Sequence, residues 1–296
     1  MRISTSERVF LVITYLVIAM AAMTCLYPFL YVLATSFSSS RAVGAGLVYI
    51  WPVEFNMEAY KQLLLDGQVF VAMKNTVIIT VVGTALNMFA TVLCAYSLSK
   101  KRLRGRGIFM GIIVFTMLFS GGLIPSFLLM RSLNLMDKFS GLWALGLVSS
   151  FNMIVMRTFF EGLPESLEES AQIDGAADPV ILIRLALPLS LPVLATITLF
   201  YAVGWWNSYF TPMMYLKTTT KYPLMLKLKQ MIDTAQMIVV NQNTTSGTEG
   251  ASANILIAPE TFKAASILVA TLPIVMIYPF LQKYFVKGVM IGSVKG

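Results

Sequence analysis

Charged residues are unevenly spread along this chain, and between them lie six uncharged, largely apolar runs: Val9–Ser40, Asn75–Ser99, Gly107–Met130, Phe139–Met156, Leu185–Leu216 and Ala264–Gln282. All but one reach the roughly 20 residues that a bilayer-spanning helix needs, and Phe139–Met156 falls within the lower range. The pattern predicts an all-α membrane protein, one transmembrane domain over residues 1–296 with six spanning helices at about 9–35, 75–98, 108–130, 139–157, 189–210 and 264–285.

The polar interruption from Glu161 to Pro192 carries Glu161, Glu165, Glu168, Glu169, Asp174 and Asp178. Pro164 followed by three carboxylates is a good helix opening, because proline fits the first turn and negative charge suits the positive end of the helix dipole. Leu167 and Ala171 then share a face, and Gly175 is a natural stop. Asp178-Pro179 reads as the cap and first position of a second short helix that ends before Pro188. Helices this short are marginal alone in water, so the pair must dock on something.

The other connections are less marked. Ser36 to Lys74 contains Trp51-Pro52 and an amphipathic patch, Glu58–Leu65, where Tyr60, Leu63 and Leu64 fit one face of a surface helix. Gly83 and Asn87 lie in the second span, and Gly121-Gly122 with Pro125 predict a bend near Pro125 in the third. The fifth span ends in Trp205, Trp206, Asn207, Tyr209 and Pro212, which read either as an aromatic belt at the membrane surface or as the lining for a polar, ring-shaped solute. Lys217–Lys263 is the longest connection, and its Asn-, Thr-, Ser- and Gly-rich middle, Asn241–Asn254, reads as an adaptable loop tip. Asn243-Thr244-Thr245 is formally a glycosylation sequon without supporting context. The sixth span, with Pro273 and Pro279, runs into a basic tail, Lys283 to Gly296.

Charge adds an orientation. Lys100, Lys101, Arg102, Arg104 and Arg106 crowd the second connection, and the positive-inside rule places it in the cytoplasm. Six spans then put both termini and residues 161–188 inside, and 36–74, 131–138 and 217–263 outside. The acid in 161–188 does not oppose this, since the rule counts Lys and Arg. The formal charge of +8 is this topology signal and points to no nucleic acid. At 57% hydrophobic residues, 12% charged residues and a mean hydropathy of +0.76, the chain lacks the surface of a soluble domain. The apolar stretch of the first run continues to Ala34, past the signal-like Ala19-Met20-Ala21, which suits an uncleaved anchor.

With no histidine and with Cys25 and Cys94 both in apolar runs, a metal site, a disulfide framework and histidine catalysis are unsupported. No Gly-Lys dipeptide exists for a phosphate-binding loop. The acid lies outside the spans, so no ion relay is evident, and any uphill transport must draw energy from a partner. No residue is a catalytic candidate.

Glu169-Ser170-Ala171, Gly175 and Leu185-Ala186-Leu187-Pro188 resemble the EAA motif of the membrane subunits of binding-protein-dependent ABC importers: Glu-Ala-Ala, three residues, Gly, nine residues, Ile, one residue, Leu-Pro. Ser170 and Leu185 depart from it. Ile173-Asp174-Gly175-Ala176, Trp206-Asn207 with Pro212, Lys221-Tyr222-Pro223-Leu224, Leu26-Tyr27-Pro28 and the tail from Lys287-Gly288 to Lys295-Gly296 resemble the carbohydrate branch, similar to the second membrane subunit of the maltose importer. The resemblance implies a type I ABC importer permease fold in a bacterial cell membrane, importing sugars, with an oligosaccharide, and an acidic one such as a uronate oligomer, as the leaning.

It further implies partners: a second, homologous permease subunit, a dimer of cytoplasmic ATPase subunits, an extracytoplasmic solute-binding protein and the lipid bilayer. ATP and Mg belong to the ATPase, and this chain carries no cofactor. The resemblance assigns Glu168, Glu169, Ser170, Ala171, Asp174, Gly175, Ala176, Leu187 and Pro188 to a coupling helix seated on the ATPase. Glu169 would be a polar contact, Ala171 part of the packed face and Gly175 the turn. Lys217–Lys263 would meet the binding protein, and the basic tail is a further ATPase contact. Asn87, Asn152, Trp205, Trp206, Asn207 and Tyr209 are candidates for a substrate pathway that this chain lines or only walls.

Other readings keep the family but change the cargo to peptides, amino acids or phosphate, against which Trp206-Asn207 and Tyr222-Pro223-Leu224 speak. An ATP-independent channel or transporter is disfavoured by the lack of charge within the spans. A membrane scaffold that transports nothing predicts that no ATPase co-purifies.

Overall fold

The structure, a computed structural model, describes residues 5–65, 67–244 and 258–292, with side chains over 7–65, 67–237 and 258–276. In chain order the helices are α1 (Thr5–Ser36), α2 (Ser40–Gly44), α3 (Glu58–Leu65), α4 (Gln68–Ser99), α5 (Arg106–Leu118), α6 (Leu123–Ser132), α7 (Phe139–Leu145) and α8 (Ser150–Glu161). There follow α9 (Glu165–Ile173), α10 (Asp178–Ile181), a π turn at Leu182–Ala186, α11 (Leu187–Leu189), α12 (Leu191–Trp206), α13 (Phe210–Tyr215), a 3₁₀ turn at Thr219–Lys221, α14 (Leu224–Thr244) and α15 (Pro259–Gly292). Among the described residues there is no strand.

Three stretches are single helices long and apolar enough to cross a bilayer: Glu7–Ser36, Gln68–Ser99 and Pro259–Met276. Three more reach that length only as bent pairs. The axis turns by 113° between α5 and α6, by 57° between α7 and α8, and by 86° between Asp178–Leu189 and α12.

The expected spans at 108–130, 139–157 and 189–210 therefore fall on broken helices, of which only the first was expected to bend. The third run does not bend at Pro125. It opens earlier, at Phe119–Gly122, where Gly122 has φ +83 and donates its N–H to Ser120 Oγ at 3.2 Å. Pro125 then falls in the first turn of α6, where a missing N–H costs little. The fifth run breaks at Ser190, and α12 restarts with Pro192 in its first turn.

The second short helix of the 161–192 interruption also differs from expectation. Ala177, not Asp178, is its cap, and it does not stop before Pro188. A π turn shifts the ladder to Leu187 N–H→Leu182 O, so Pro188 enters at the start of a fresh turn instead of inside a continuous α ladder.

The described chain groups into two compact units, 1–69 with 228–273 and 70–227 with 274–296. In the first, Ala34, Ala42 and Val48 form a small core, Phe37 stacks on Phe55 and Tyr60 with ring centroids 5.6 and 5.0 Å apart, and Ala258 N–H donates to Ser40 Oγ at 2.8 Å. Leu63 of α3 is buried while Leu64 is exposed, so the amphipathic face forms with Leu64 at its edge. α1 is apolar all round and its spanning stretch is unburied within the chain, which suits a helix surrounded by lipid or other helices.

The second unit is built on α4, α8, α12 and the π turn. Ala95, Met153, Met156, Ala186 and Ile197 are fully buried there, and Tyr96 meets Phe160 edge-on at 5.7 Å. The small Ala95 and Ala186 let neighbouring helices approach closely, as helix contacts in membranes require.

Candidate functional site

The interruption at 161–192 folds as two short helices joined by a glycine turn. α9 ends at the cap Asp174, and Gly175 takes φ +80, a conformation that costs other L-residues about 1–2 kcal/mol. Gly175 N–H donates to Gln172 O at 3.0 Å and Ala176 N–H to Ala171 O at 2.9 Å, the paired bonds of a Schellman cap. The turn therefore needs glycine for its backbone. It does not need it for space, since nothing lies within 4 Å of where a Cβ would be.

What the pair rests on within the chain is the basic connection between α4 and α5. Lys100 pairs with Glu168, Lys101 with Glu165 at 2.7 Å, Arg102 with Asp178, and both Arg106 and Arg157 with Glu161. Lys100 also lies 4.1 Å from the centroid of the Tyr96 ring. The most sheltered of these pairs is Lys100–Glu168, each side chain 15% exposed, whereas Lys101 and Glu165 are 79% and 69% exposed. Lys101 holds the Glu165 carboxyl below the usual carboxylate range.

This arrangement divides the residues assigned to coupling. Glu168 faces the chain's own Lys100. Glu169 and Asp174 are exposed and have no cationic partner among the described residues. Ser170 Oγ bonds back to Ser166 O at 2.9 Å, Ala171 and Ala176 are half-buried, Leu187 is half-buried and Pro188 exposed. The expected apolar face of α9 is uncovered: no residue of α9 is buried, Leu167 is 41% exposed and Ile173 is 86% exposed. Ile173 thus stands bare at the end of a helix whose other side is braced by ion pairs.

The candidates along the spans form a different kind of site. Asn87 is buried in α4; its amide donates to Gly146 O and to Leu147 O, the latter at 2.8 Å, and its Oδ1 accepts Trp205 Nε1–H at 2.5 Å. Tyr201 Oη accepts Ser149 N–H at 3.1 Å and lies 2.7 Å from Thr91 Oγ1. The groups supplied to 146–149 are those the broken ladder between α7 and α8 leaves unpaired, and hydrocarbon offers no water to replace them. The Trp205 ring lies so close to α4 that a Cβ on Gly83 would sit 2.7 Å from it.

Asn87 and Trp205 are thus brought together, but as a brace, with their polar atoms committed. The Trp205 indole N–H is committed to Asn87, and its ring is half-buried against Gly83. Trp206 is buried, Asn207 is exposed at the end of α12, and Tyr209 is half-buried in the step to α13. Asn152 is buried in the first turn of α8, its N–H directed to Ser149 Oγ at 3.4 Å.

Two parts of these sites went unread in the sequence. The basic connection registered only as a topology signal, although Lys100, Lys101, Arg102 and Arg106 pair with carboxylates of the acidic connection. Thr76, Thr84, Asn87 and Thr91 form a buried polar stripe on α4, which their helical spacing could have revealed.

The braced, charge-paired connection lies inside the segment that a family model recognises. Residues 87–291 match the binding-protein-dependent transport system inner membrane component family. The chain belongs to that family. The permease is 40% identical over 293 residues to the polygalacturonan/rhamnogalacturonan transport system permease protein YtcP of Bacillus subtilis, covering 98% of this chain and 99% of that protein. It is also 40% identical over 292 residues to the protein LplC of the same organism, covering 98% and 96%. Its fold matches a chain in the crystal structure of a bacterial ABC transporter involved in the import of the acidic polysaccharide alginate, with a TM-score of 0.83 and 38% identity over 96% of this chain and 99% of that one. Among the described residues no cluster of His, Cys, Asp and Glu is suited to a metal. The 241–254 tip lies largely, and the last residues of the basic tail wholly, outside the described residues.

Proposed function

We propose that this permease is one of two membrane subunits of an ATP-driven importer for uronate oligosaccharides in a bacterial cell membrane. Kinship along the full chain to a polygalacturonan/rhamnogalacturonan permease and to a chain of an alginate importer supports the cargo class, since all three polymers contain uronate residues. The two termini and 161–188 lie on the cytoplasmic side, and 36–74, 131–138 and 217–263 face out. Hydrolysis of ATP with Mg takes place on a separate dimer of ATPase subunits, and a solute-binding protein delivers the sugar from outside.

The observation that carries the coupling role is the two-sidedness of α9. One side is tied to the chain's own basic connection, and the other leaves Leu167, Glu169, Ile173 and Asp174 uncovered. A groove on the ATPase would take Ile173 and the face around Ala171, with Glu169 as a polar contact at its rim. Because Gly175 joins α9 to α10, and the ion pairs of Glu165 and Glu168 tie it to the connection that follows α4, movement of the ATPase is passed to the spans and not absorbed in a loop. Glu168 in this scheme holds the lever, and Glu169 touches the partner.

The sugar pathway is assigned more narrowly than the residue types suggest. Asn87 and Trp205 brace the wall, while Asn207 and Tyr209 are the members left with surface to offer a sugar. The test is ligand identification on the partner binding protein. Oligogalacturonates or alginate oligomers should raise its melting temperature and drive ATP-dependent uptake by the reconstituted importer, with neutral maltooligosaccharides inactive. Stabilisation by peptides or amino acids alone would overturn the cargo assignment.

A further inference from the structure

Among the described residues, the one with the most convergent set of polar contacts outside the 161–190 connection is Asp137, in the turn between α6 and α7. It adopts φ +58. Its Oδ1 accepts the N–H groups of both Lys217 and Thr218 at 3.0 Å, and its Oδ2 accepts Thr218 Oγ1–H at 2.7 Å and Lys221 Nζ at 2.8 Å. Its own carbonyl takes a further bond from Lys221 Nζ at 2.6 Å, and its N–H donates to Tyr215 O at 2.8 Å. One residue thus holds four points of the 215–221 segment. The Lys221 ammonium first, then the Thr218 and Lys217 donors, hold its carboxyl well below the usual carboxylate range.

The far side of the same segment is fastened to α4. Asn75 Nδ2 donates to Thr220 O at 2.8 Å and Tyr222 O at 3.1 Å, and Thr76 Oγ1 accepts Leu224 N–H at 2.7 Å. Leu224 is the first residue of α14, the helix that leads into the long connection ending at α15. Residues 215–224 are therefore stapled between the α6–α7 turn and α4. α4 ends at Ser99, next to the Lys100 that braces the coupling connection, and α7 ends at the break held by Asn87 and Tyr201.

We infer that Asp137 is the positioning residue through which the segment beginning at Lys217 and the membrane-spanning helices feel each other's state. The inference rests on the reading of 161–188 as the ATPase contact and of 217–263 as the outer contact. A segment joined to the spans only by covalent chain would dissipate a displacement. Here one carboxylate converts displacement of 217–221 into displacement of the α6–α7 turn, and Asn75 and Thr76 do the same for α4. By linkage the coupling runs both ways, so a change imposed at the cytoplasmic end must appear at 217–230.

The test is amide hydrogen exchange on the reconstituted importer, nucleotide-free against vanadate-trapped, in the wild type, in Asp137→Ala and in the double variant Thr218→Val/Lys221→Met. In the wild type, trapping should change exchange in both 161–190 and 217–230, by on the order of 5-fold or more for coupling of ordinary strength. In either variant the response at 161–190 should persist while that at 217–230 falls several-fold, the remainder being carried by the Asn75 and Thr76 fastening to α4, and combining the variants should add nothing. A loosened but uninvolved loop would exchange faster in both states and still respond to trapping. Full response at 217–230 in both variants overturns the inference. Absence of any wild-type response at 161–190 would mean that the coupling reading itself fails, and the role of Asp137 falls with it. The double variant keeps the test available should Asp137→Ala not assemble.

Discussion

The acidic connection at 161–190 and the brace around the α7–α8 break solve the same problem, holding irregular backbone in place, with opposite chemistry. The connection is held by charges: Lys100, Lys101, Arg102, Arg106 and Arg157 against Glu161, Glu165, Glu168 and Asp178. The break is held by neutral groups: Asn87, Tyr201, Thr91 and Trp205. The difference follows from the surrounding medium. Outside the bilayer an ion pair keeps its solvation and can be re-formed; in hydrocarbon an unpaired charge is expensive, whereas an amide or hydroxyl satisfied by backbone carbonyls and N–H groups is stable. The connection is made of contacts between side chains that can exchange partners. Around the break the contacts are fixed ones, an amide, a phenol and an indole each committed to a named backbone or side-chain partner.

The largest effect should come from the one position in the connection that has no alternative. Gly175→Val places a β-branched residue at φ +80, a penalty of about 1–2 kcal/mol on the turn even though no atom blocks the side chain. Uptake by proteoliposomes should be abolished while membrane insertion is unchanged. Gly175→Asn, which tolerates that conformation, should retain most of the uptake. Equal loss in both variants would mean that size or polarity matters there and not the turn.

Next comes the brace. Asn87→Leu keeps the volume but leaves Gly146 O, Leu147 O and Trp205 Nε1–H without their partner, at about 1–3 kcal/mol for each group that finds no replacement. The purified permease should unfold at lower temperature, and uptake should fall with it. Thr91→Val removes only one of the two contacts of Tyr201 and should cost less, because Ser149 N–H keeps its acceptor. If Asn87→Leu were neutral, the break would be held by packing alone, and the contrast with the connection would disappear.

How much of this could be read from residue order depends on whether the signal is local. The spans were visible because lipid imposes a length of apolar chain, and Gly175 because a helix stop at a glycine between two short helices is a property of a few neighbouring residues. The break at Gly146–Ser149 was not, because its partners, Asn87 and Tyr201, lie far along the chain, whereas the bend of the third run was expected from Gly121-Gly122 and Pro125 and only its position was missed. Pro125 drew the expected bend to itself, yet proline in a first turn bends nothing. The acid in 161–178 was visible as a cluster, but the direction of each carboxylate was not: Glu168 and Glu169 are adjacent in sequence, and only the fold turns one to Lys100 and leaves the other exposed.

That last distinction predicts the smallest and most selective effects, within the connection itself. Lys100→Glu should cut ATP-driven uptake, since it sets two carboxylates against each other at a site where each side chain is only 15% exposed. A hydrogen bond to a charged group there contributes roughly 1.5–3 kcal/mol. Adding Glu168→Lys should restore uptake, and the restored pair should be little affected by salt. The same swap at Lys101 and Glu165, 79% and 69% exposed, should change uptake hardly at all and lose even that at high ionic strength. The depressed pKa of Glu165 gives a further check on sign. Its contribution is present above the ordinary carboxylate pKa and is lost only as pH falls through the lower folded value, so acidifying from neutral to pH 5 should leave this pair intact. If Glu165→Lys proved as damaging as Lys100→Glu and was not rescued by Lys101→Glu, Glu165 would belong to the surface that meets the ATPase, and the division of α9 into a tied side and an open side would have to be redrawn.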